Sequence, residues 1–255
     1  MGKNKLKKCA EMETFHNVFQ CGAREMVEDS PVVAMRGKWH EEYFHNDNPI
    51  VLELGCGRGE YTVGLAARYP DKNYIGIDIK GARMWAGAKQ AELAGMKNVA
   101  FLRTNIEMLV HFFAPNEVAE IWITFPDPQM KKATKRLTST FFMQRYAQLL
   151  QPNGLIHLKT DSPFLYTYTQ AMVKENKYPL LVDTDDLYAA EATADIDEAR
   201  SLQTHYEHQW LDRGLTIKYL RWELSHADQL VEPDIDIEKD TYRSYGRNYV
   251  SSTNN

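Results

Sequence analysis

The first 45 or so residues mix aromatic and charged positions without a regular period, and from Pro49 the apolar positions fall into an alternating order. PIVLELG is a short apolar run closed by glycine and predicts a buried strand, whereas GEYTVGLAARYP has helical spacing and stops at Pro70. NYIGIDI predicts a second strand, GARMWAGAKQAELAG a helix closed by Gly95, and NVAFLRT a third strand. A helix over Met108 to Phe113 precedes AEIWITF, a fourth strand that halts at Pro126 because proline cannot continue a central ladder. LTSTFFMQRYAQLLQPNG reads as an amphipathic helix with a Pro/Gly stop, GLIHLKTD as the fifth strand and 163–176 as a helix. YPLLVDT is the sixth strand, followed by a polar helix over about 198–213 and a last strand in LTIKYLRWEL.

Strands alternating with helices of this length predict an α/β fold, a doubly wound and mostly parallel sheet covered on both faces. The expected organisation is a basic extension over 1–45, one α/β domain over 46–227, and a loosely held acidic tail over 228–255. At 255 residues, 44% of them hydrophobic, the chain can bury a sizeable core in that one domain. No apolar run approaches the roughly 20 residues of a membrane span, and the basic start MGKNKLKKCA lacks the apolar core of a secretory signal. The expectation is a cytoplasmic protein without a membrane partner. Three cysteines and no CxxC or Cys/His cluster argue against a disulfide framework and against a metal site.

Charge is segregated along the chain. Residues 183–198 carry seven acids and no Lys or Arg, and 228–240 carry six acids and one Lys, so about +7 remains elsewhere against a total of −5. Each acidic stretch reads alone as solvated, and the acidic total leaves room for a basic, polyanion-binding face.

In a doubly wound sheet, ligands bind at the carboxyl ends of the strands. The first strand-to-helix turn is ELGCGRGEY, where Gly55, Gly57 and Gly59 let the backbone approach a ligand. A dinucleotide fingerprint requires glycine where this chain has Glu60, which disfavours an NAD-dependent oxidoreductase. GxGxG after a strand containing Glu53 suits a cofactor with a positively charged amino-acid end. Asp78, at the end of the second strand, is placed to accept both hydroxyls of a ribose, and Asn105, after the third, to meet an adenine edge. The alternatives are a helix cap for Glu53, a turn for Asp78 and an N-terminal cap for Asn105.

Phe125-Pro126-Asp127-Pro128 ends the fourth strand, which the topology places beside the first, and two prolines stiffen the turn. Lys131, Lys132, Lys135 and Arg136 follow as a footprint for phosphates; the bland alternative is a turn and a solvated helix start. Cations at the amino end of a helix oppose its dipole, which favours another use for them. Lys159-Thr160-Asp161 closes the fifth strand, where Asp161 fits a turn as well as a functional role, and Thr204-His205-Tyr206-Glu207 reads locally as exposed helix.

Taken in order, LELGCGRGE, GIDIK, FPDP followed by Lys131, KTD and THYE resemble the tRNA (guanine-N7)-methyltransferase family over roughly residues 45–222. The resemblance implies a class I, Rossmann-like methyltransferase fold of seven strands whose last strand is antiparallel. It implies S-adenosylmethionine as cofactor, no metal, and tRNA as substrate, methylated at N7 of the variable-loop guanosine 46. Glu53, Gly55, Gly57, Asp78, Asn105 and Asp127 are implied as cofactor contacts, with Asn105 standing where the family more often has aspartate. Asp127 is implied as the catalytic acid, and Lys131, Asp161, Thr204, His205, Tyr206 and Glu207 as substrate contacts. The family commonly continues FPDP with Trp and later a double arginine; Gln129, Ala133-Thr134 and Arg136-Leu137 depart from that pattern. The expected state is a monomer or homodimer without an obligatory protein partner. The rival readings are a class I methyltransferase with another substrate and a noncatalytic RNA-binding subunit on the same fold.

Overall fold

Alternate residues of each central strand face opposite sides of one sheet, and this divides the apolar residues between two cores. From β2 (Ile50–Leu54), β3 (Asn73–Asp78), β4 (Val99–Arg103) and β5 (Val118–Thr124), one core takes Leu52, Leu54, Ile75, Ile77, Leu102, Ile121 and Ile123. The other takes Val51, Tyr74, Phe101 and Trp122. Helices α4 (Thr140–Tyr146) and α5 (Pro163–Glu175) close the first core with Phe142, Tyr146, Leu165 and Tyr168. The second is closed by α2 (Glu60–Arg68), α3 (Gly81–Leu93) and α6 (Ala194–Arg200), through Tyr61, Leu65, Met84, Ala88 and Ile196. The computed structural model describes residues 2–21 and 32–241; residues 22–31 of the expected extension and 242–255 of the expected tail lie outside the described residues.

Eight strands are described, in the order β1-β4-β3-β2-β5-β6-β8-β7, with β1 at Val18–Gln20, β6 at Leu150–Thr160, β7 at Leu180–Thr184 and β8 at Lys218–Glu223. All pairs are parallel except those of β8, which runs antiparallel to both β6 and β7. The chain steps from β2 outward through β3 to β4, then returns to β5 on the other side of β2. This reversal opens a crevice at the carboxyl ends of β2 and β5.

The strand beyond the expected seven is β1, whose three residues are too few for any period to show. It pairs with β4, and α1 (Gly2–Met12) docks on α3: Glu11 accepts from Trp85 Nε1 at 2.9 Å and Lys89 Nζ at 2.7 Å. Three helices differ from expectation. The one preceding β5 is a 3₁₀ segment, Ile106–His111. The single late helix is instead two, α6 and α7 (His205–Asp212), because Thr193 and Thr204 each adopt extended backbone and cap a separate first turn. Helix α4 ends at Tyr146, and β6 begins at Leu150, ahead of the Pro152–Gly154 stretch that reads as a helix stop. Beyond β8 the described chain has no helix or strand, yet it is anchored. Glu232 accepts from Thr140 Oγ1 at 2.6 Å and from Tyr168 Oη, and Asp240 accepts from Ser162 Oγ and from Phe164 N–H at 3.1 Å.

Candidate active site

Gly55, Gly57 and Gly59 have φ of 75°, 54° and 72°, backbone that side chains rarely adopt. A Cβ on Gly59 would also come within 2.6 Å of Phe101, whereas one on Gly55 would meet nothing within 4 Å. The loop thus presents bare backbone to open space at its first glycine and packs tightly at its last. Gly55 and Cys56 N–H groups both donate to Ile77 O, at 2.8 and 3.0 Å, so the loop is laid across the end of β3. Gly57 N–H donates to Asp78 Oδ2 at 2.9 Å and Lys80 N–H to Oδ1 at 2.8 Å. Each Asp78 oxygen retains a lone pair for a further donor.

Glu53 is buried beneath this loop. Its Oε2 accepts both the N–H (2.8 Å) and the hydroxyl of Thr62, in the first turn of α2, and its Oε1 accepts from Thr124 Oγ1 at 2.8 Å. Glu53 therefore caps α2 and at the same time joins β2 to the end of β5. Burial pushes its carboxyl up to about 7, against the pull of those hydrogen bonds.

A cleft of about 400 Å³ opens between these parts, and Gly55, Asp78 and Asn105 line it together with Ile79, Thr104 and Phe142. The Asn105 side chain makes no cap bond to the 3₁₀ segment that follows it. The cleft thus combines a carboxylate, an amide, bare glycine backbone and apolar side chains, which fits a ligand with vicinal hydroxyls and a flat ring. Glu53, Gly57 and Asp127 are not among its lining residues. Ile79, Thr104 and Phe142 are missing from the sequence-based site; Ile79 alone carried a signal, as an apolar residue just past the strand-end acid, and it is 54% exposed.

Across the crevice, Phe125 has φ of 48° and donates its N–H to Lys159 O at 2.8 Å. A bulky residue in left-handed backbone marks strain held by its surroundings. Asp127 is exposed, and its Oδ1 accepts from Gln129 N–H at 3.0 Å, closing a turn that carries Gln129 to φ of 47°. The four cations beyond divide. Lys131 and Lys132 are exposed, while Lys135 pairs with Glu107 at 2.6 Å beside the cleft. Arg136 turns inward, donating to Gln129 O (3.3 Å) and Met130 O (3.4 Å), with its guanidinium 4.3 Å from the Tyr168 ring centre and 4.9 Å from that of Phe164. These cations oppose no helix dipole, because they sit on a loop and the 3₁₀ turn Ala133–Lys135 and α4 begins only at Thr140.

Asp161 is buried at the end of β6, where its charge acts on Lys218. Thr204 and Glu207 form a reciprocal capping box on α7. Glu207 is fully buried, 2.7 Å from Lys159 Nζ, whereas Tyr206 is 42% exposed and His205 donates its N–H to Glu60 at 2.9 Å. The segment that reads locally as exposed helix is thus half interior and half surface. Among the described residues, no group of three or more His, Cys, Asp or Glu side chains is placed to hold a metal ion.

A family model described as "Putative methyltransferase" matches residues 47–220. A tRNA (guanine-N(7)-)-methyltransferase of Bacteroides fragilis is 59% identical over 97% of this chain and 96% of its own length. The protein of that name from Porphyromonas gingivalis is 60% identical over 92% of this chain and 96% of its own, and that from Clostridium acetobutylicum 34% identical over 79% and 96%. Among solved structures, the 16S rRNA methyltransferase KamB superposes with a TM-score of 0.56 at 15% identity, covering 73% of this chain and 92% of its own. That likeness bears on the fold.

Proposed function

Because this chain belongs to the tRNA (guanine-N7)-methyltransferase family, we propose that it methylates N7 of guanosine 46 in the variable loop of tRNA, using S-adenosylmethionine. The observation that carries the reading is the placement of exposed Asp127 on a stiff turn at the end of β5, directly across the switch point from the glycine loop of β2. When bound, S-adenosylmethionine supplies a methyl group made electrophilic by its sulfonium. Gly55, Asp78 and Asn105 would hold it in the cleft, where Asp78 offers a lone pair on each oxygen to ribose hydroxyls and Ile79 and Phe142 offer apolar surface to the purine. Glu53 holds the start of α2 and the end of β5 together beneath the loop through Thr62 and Thr124.

Guanine N7 already carries an available lone pair, so no residue has to remove a proton from it. The work of the chain is to hold and orient the base. Asp127 would accept from the N1 and N2 donors of guanine, and its charge favours the cationic purine that results. The base must leave its stacking in folded tRNA to reach this turn. Exposed Lys131 and Lys132, with exposed Lys5 and Lys7 of α1, are the phosphate contacts, and exposed His205 and Tyr206 offer the outer edge of the substrate side, with buried Asp161, Thr204 and Glu207 supporting it from within. The reading takes the protein to act as a monomer or homodimer without an obligatory protein partner. No helix among the described residues is long and apolar enough to cross a membrane.

The test is to incubate tRNA lacking this modification with labelled cofactor and map the methylated nucleotide. Transfer to N7 of guanosine 46 by the wild type, abolished in Asp127→Ala with cofactor affinity retained, is the expected result. Label at another position, or equal turnover in the variant, would overturn the reading.

A further inference from the structure

Lys159 and Glu207 are both fully buried, with Nζ and Oε1 2.7 Å apart. The same ammonium donates to Ala199 O at 2.7 Å and Leu202 O at 3.0 Å, so its three hydrogens meet three acceptors. Those acceptors belong to the end of α6, the connection after it and the first turn of α7. Glu207 also accepts from Tyr188 Oη at 2.6 Å and from Thr204 N–H at 3.3 Å. A single side chain near the end of β6, two residues before Asp161, therefore fastens the whole 199–207 segment to the sheet.

That segment lies against the helix that follows the glycine loop. Tyr61 Oη donates to Ala199 O at 3.2 Å, His205 N–H donates to Glu60 at 2.9 Å, and a Cβ on Gly64 would come within 2.7 Å of Leu202. Burial lowers the pKa of Lys159 and the carboxylate of Glu207 opposes that shift. An apolar pair of similar volume is commonly no less stable than a buried ion pair, so stability alone does not account for these charges. What they provide is a unique geometry for the segment.

We propose that Lys159 is a positioning residue which, through Glu207, sets the Thr204–Tyr206 edge against the helix that follows the glycine loop, so that a buried charge on the sheet fixes the tRNA-facing side of the site. The proposal rests on the methylation reading above. It takes Glu207 as the partner of Lys159 inside the fold, while His205 and Tyr206 form the outer edge.

The test uses the Lys159→Met/Glu207→Gln double variant, which leaves no unpaired ion in the core, alongside Tyr188→Phe, which removes one donor to Glu207 and little volume. In the double variant, amide exchange over 199–208 should accelerate about tenfold or more and KM for tRNA rise about tenfold, with kcat within about threefold. The Kd for S-adenosylmethionine, read by calorimetry, should stay within about twofold of wild type, and Tyr188→Phe should shift exchange and KM in the same direction by about two- to threefold. Unchanged exchange over 199–208 would overturn the proposal. So would a cofactor affinity that worsens as much as KM for tRNA, since that marks a general structural role. A Glu207→Gln variant that loses tRNA affinity without faster exchange would make Glu207 a direct ligand and also overturn it. A wild type that fails to methylate tRNA refutes the methylation reading, and the exchange measurement, which needs no tRNA, still decides whether Lys159 holds the segment.

Discussion

Asp78 Oδ2 stands 2.9 Å from the backbone nitrogen of Gly57, so the acid at the end of β3 is fastened to the glycine loop at the end of β2. The carboxylate proposed to hold the ribose and the loop that shapes the cleft are one unit. Asp78→Asn turns one of the two acceptors into a donor facing a backbone N–H. It should raise the S-adenosylmethionine Kd by about 10- to 100-fold in calorimetry, equivalent to roughly 1.4–2.8 kcal/mol. An affinity within twofold of wild type would separate the acid from the cofactor.

Glu53 predicts a pH dependence of stability. Its folded pKa of about 7 lies above the ordinary 4.5, so the folded state holds the proton more tightly. The contribution is complete below pH 4.5, shrinks as pH rises from 4.5 towards 7 while only the unfolded state ionises, and is lost above 7. Its full size is on the order of 3 kcal/mol. Glu53→Gln lacks this titration, so urea unfolding should show the variant gaining on the wild type across that window and holding a constant difference above it.

The division among the cations gives opposite expectations for residues only a few positions apart. Lys131→Ala and Lys132→Ala should each weaken tRNA binding and reduce the slope of log affinity against log salt by about 1, without a change in melting temperature. Arg136→Ala should leave that slope unchanged and cost about 2–3 kcal/mol of stability, because its guanidinium is buried against Tyr168 and Phe164 and ties down Gln129 and Met130.

Asp240 accepts from the Phe164 N–H in the first turn of α5, from a stretch whose acids read as solvated in the sequence. Asp240→Asn should cost about 1 kcal/mol in thermal or denaturant unfolding. Asp236→Asn, on the same stretch, should cost less than about 0.5 kcal/mol. Equal effects would show that charge along the stretch, and no particular contact, is what matters.

The alternation of apolar runs and helical periods in this chain determined its architecture, and the glycine turn, Asp78, Asn105 and FPDP were legible as site elements at strand ends. The reason is local: a buried strand, a tight turn and a strand-end acid each need particular residue types within a few positions of one another. What those residues touch was decided only by the tertiary structure. Glu53 could be read as an acid near a cofactor, but its union with Thr62 and Thr124 spans 71 positions and depends on β2 lying beside β5. Lys131 and Arg136 look alike in a run of cations, and only the packing of α5 leaves one in solvent and sets the other against two aromatic rings. Lys159 and Glu207 lie 48 positions apart on separate elements, so no periodicity connects them. Their pairing exists because β6 and the turn into α7 meet over a desolvated space in which each charge needs the other.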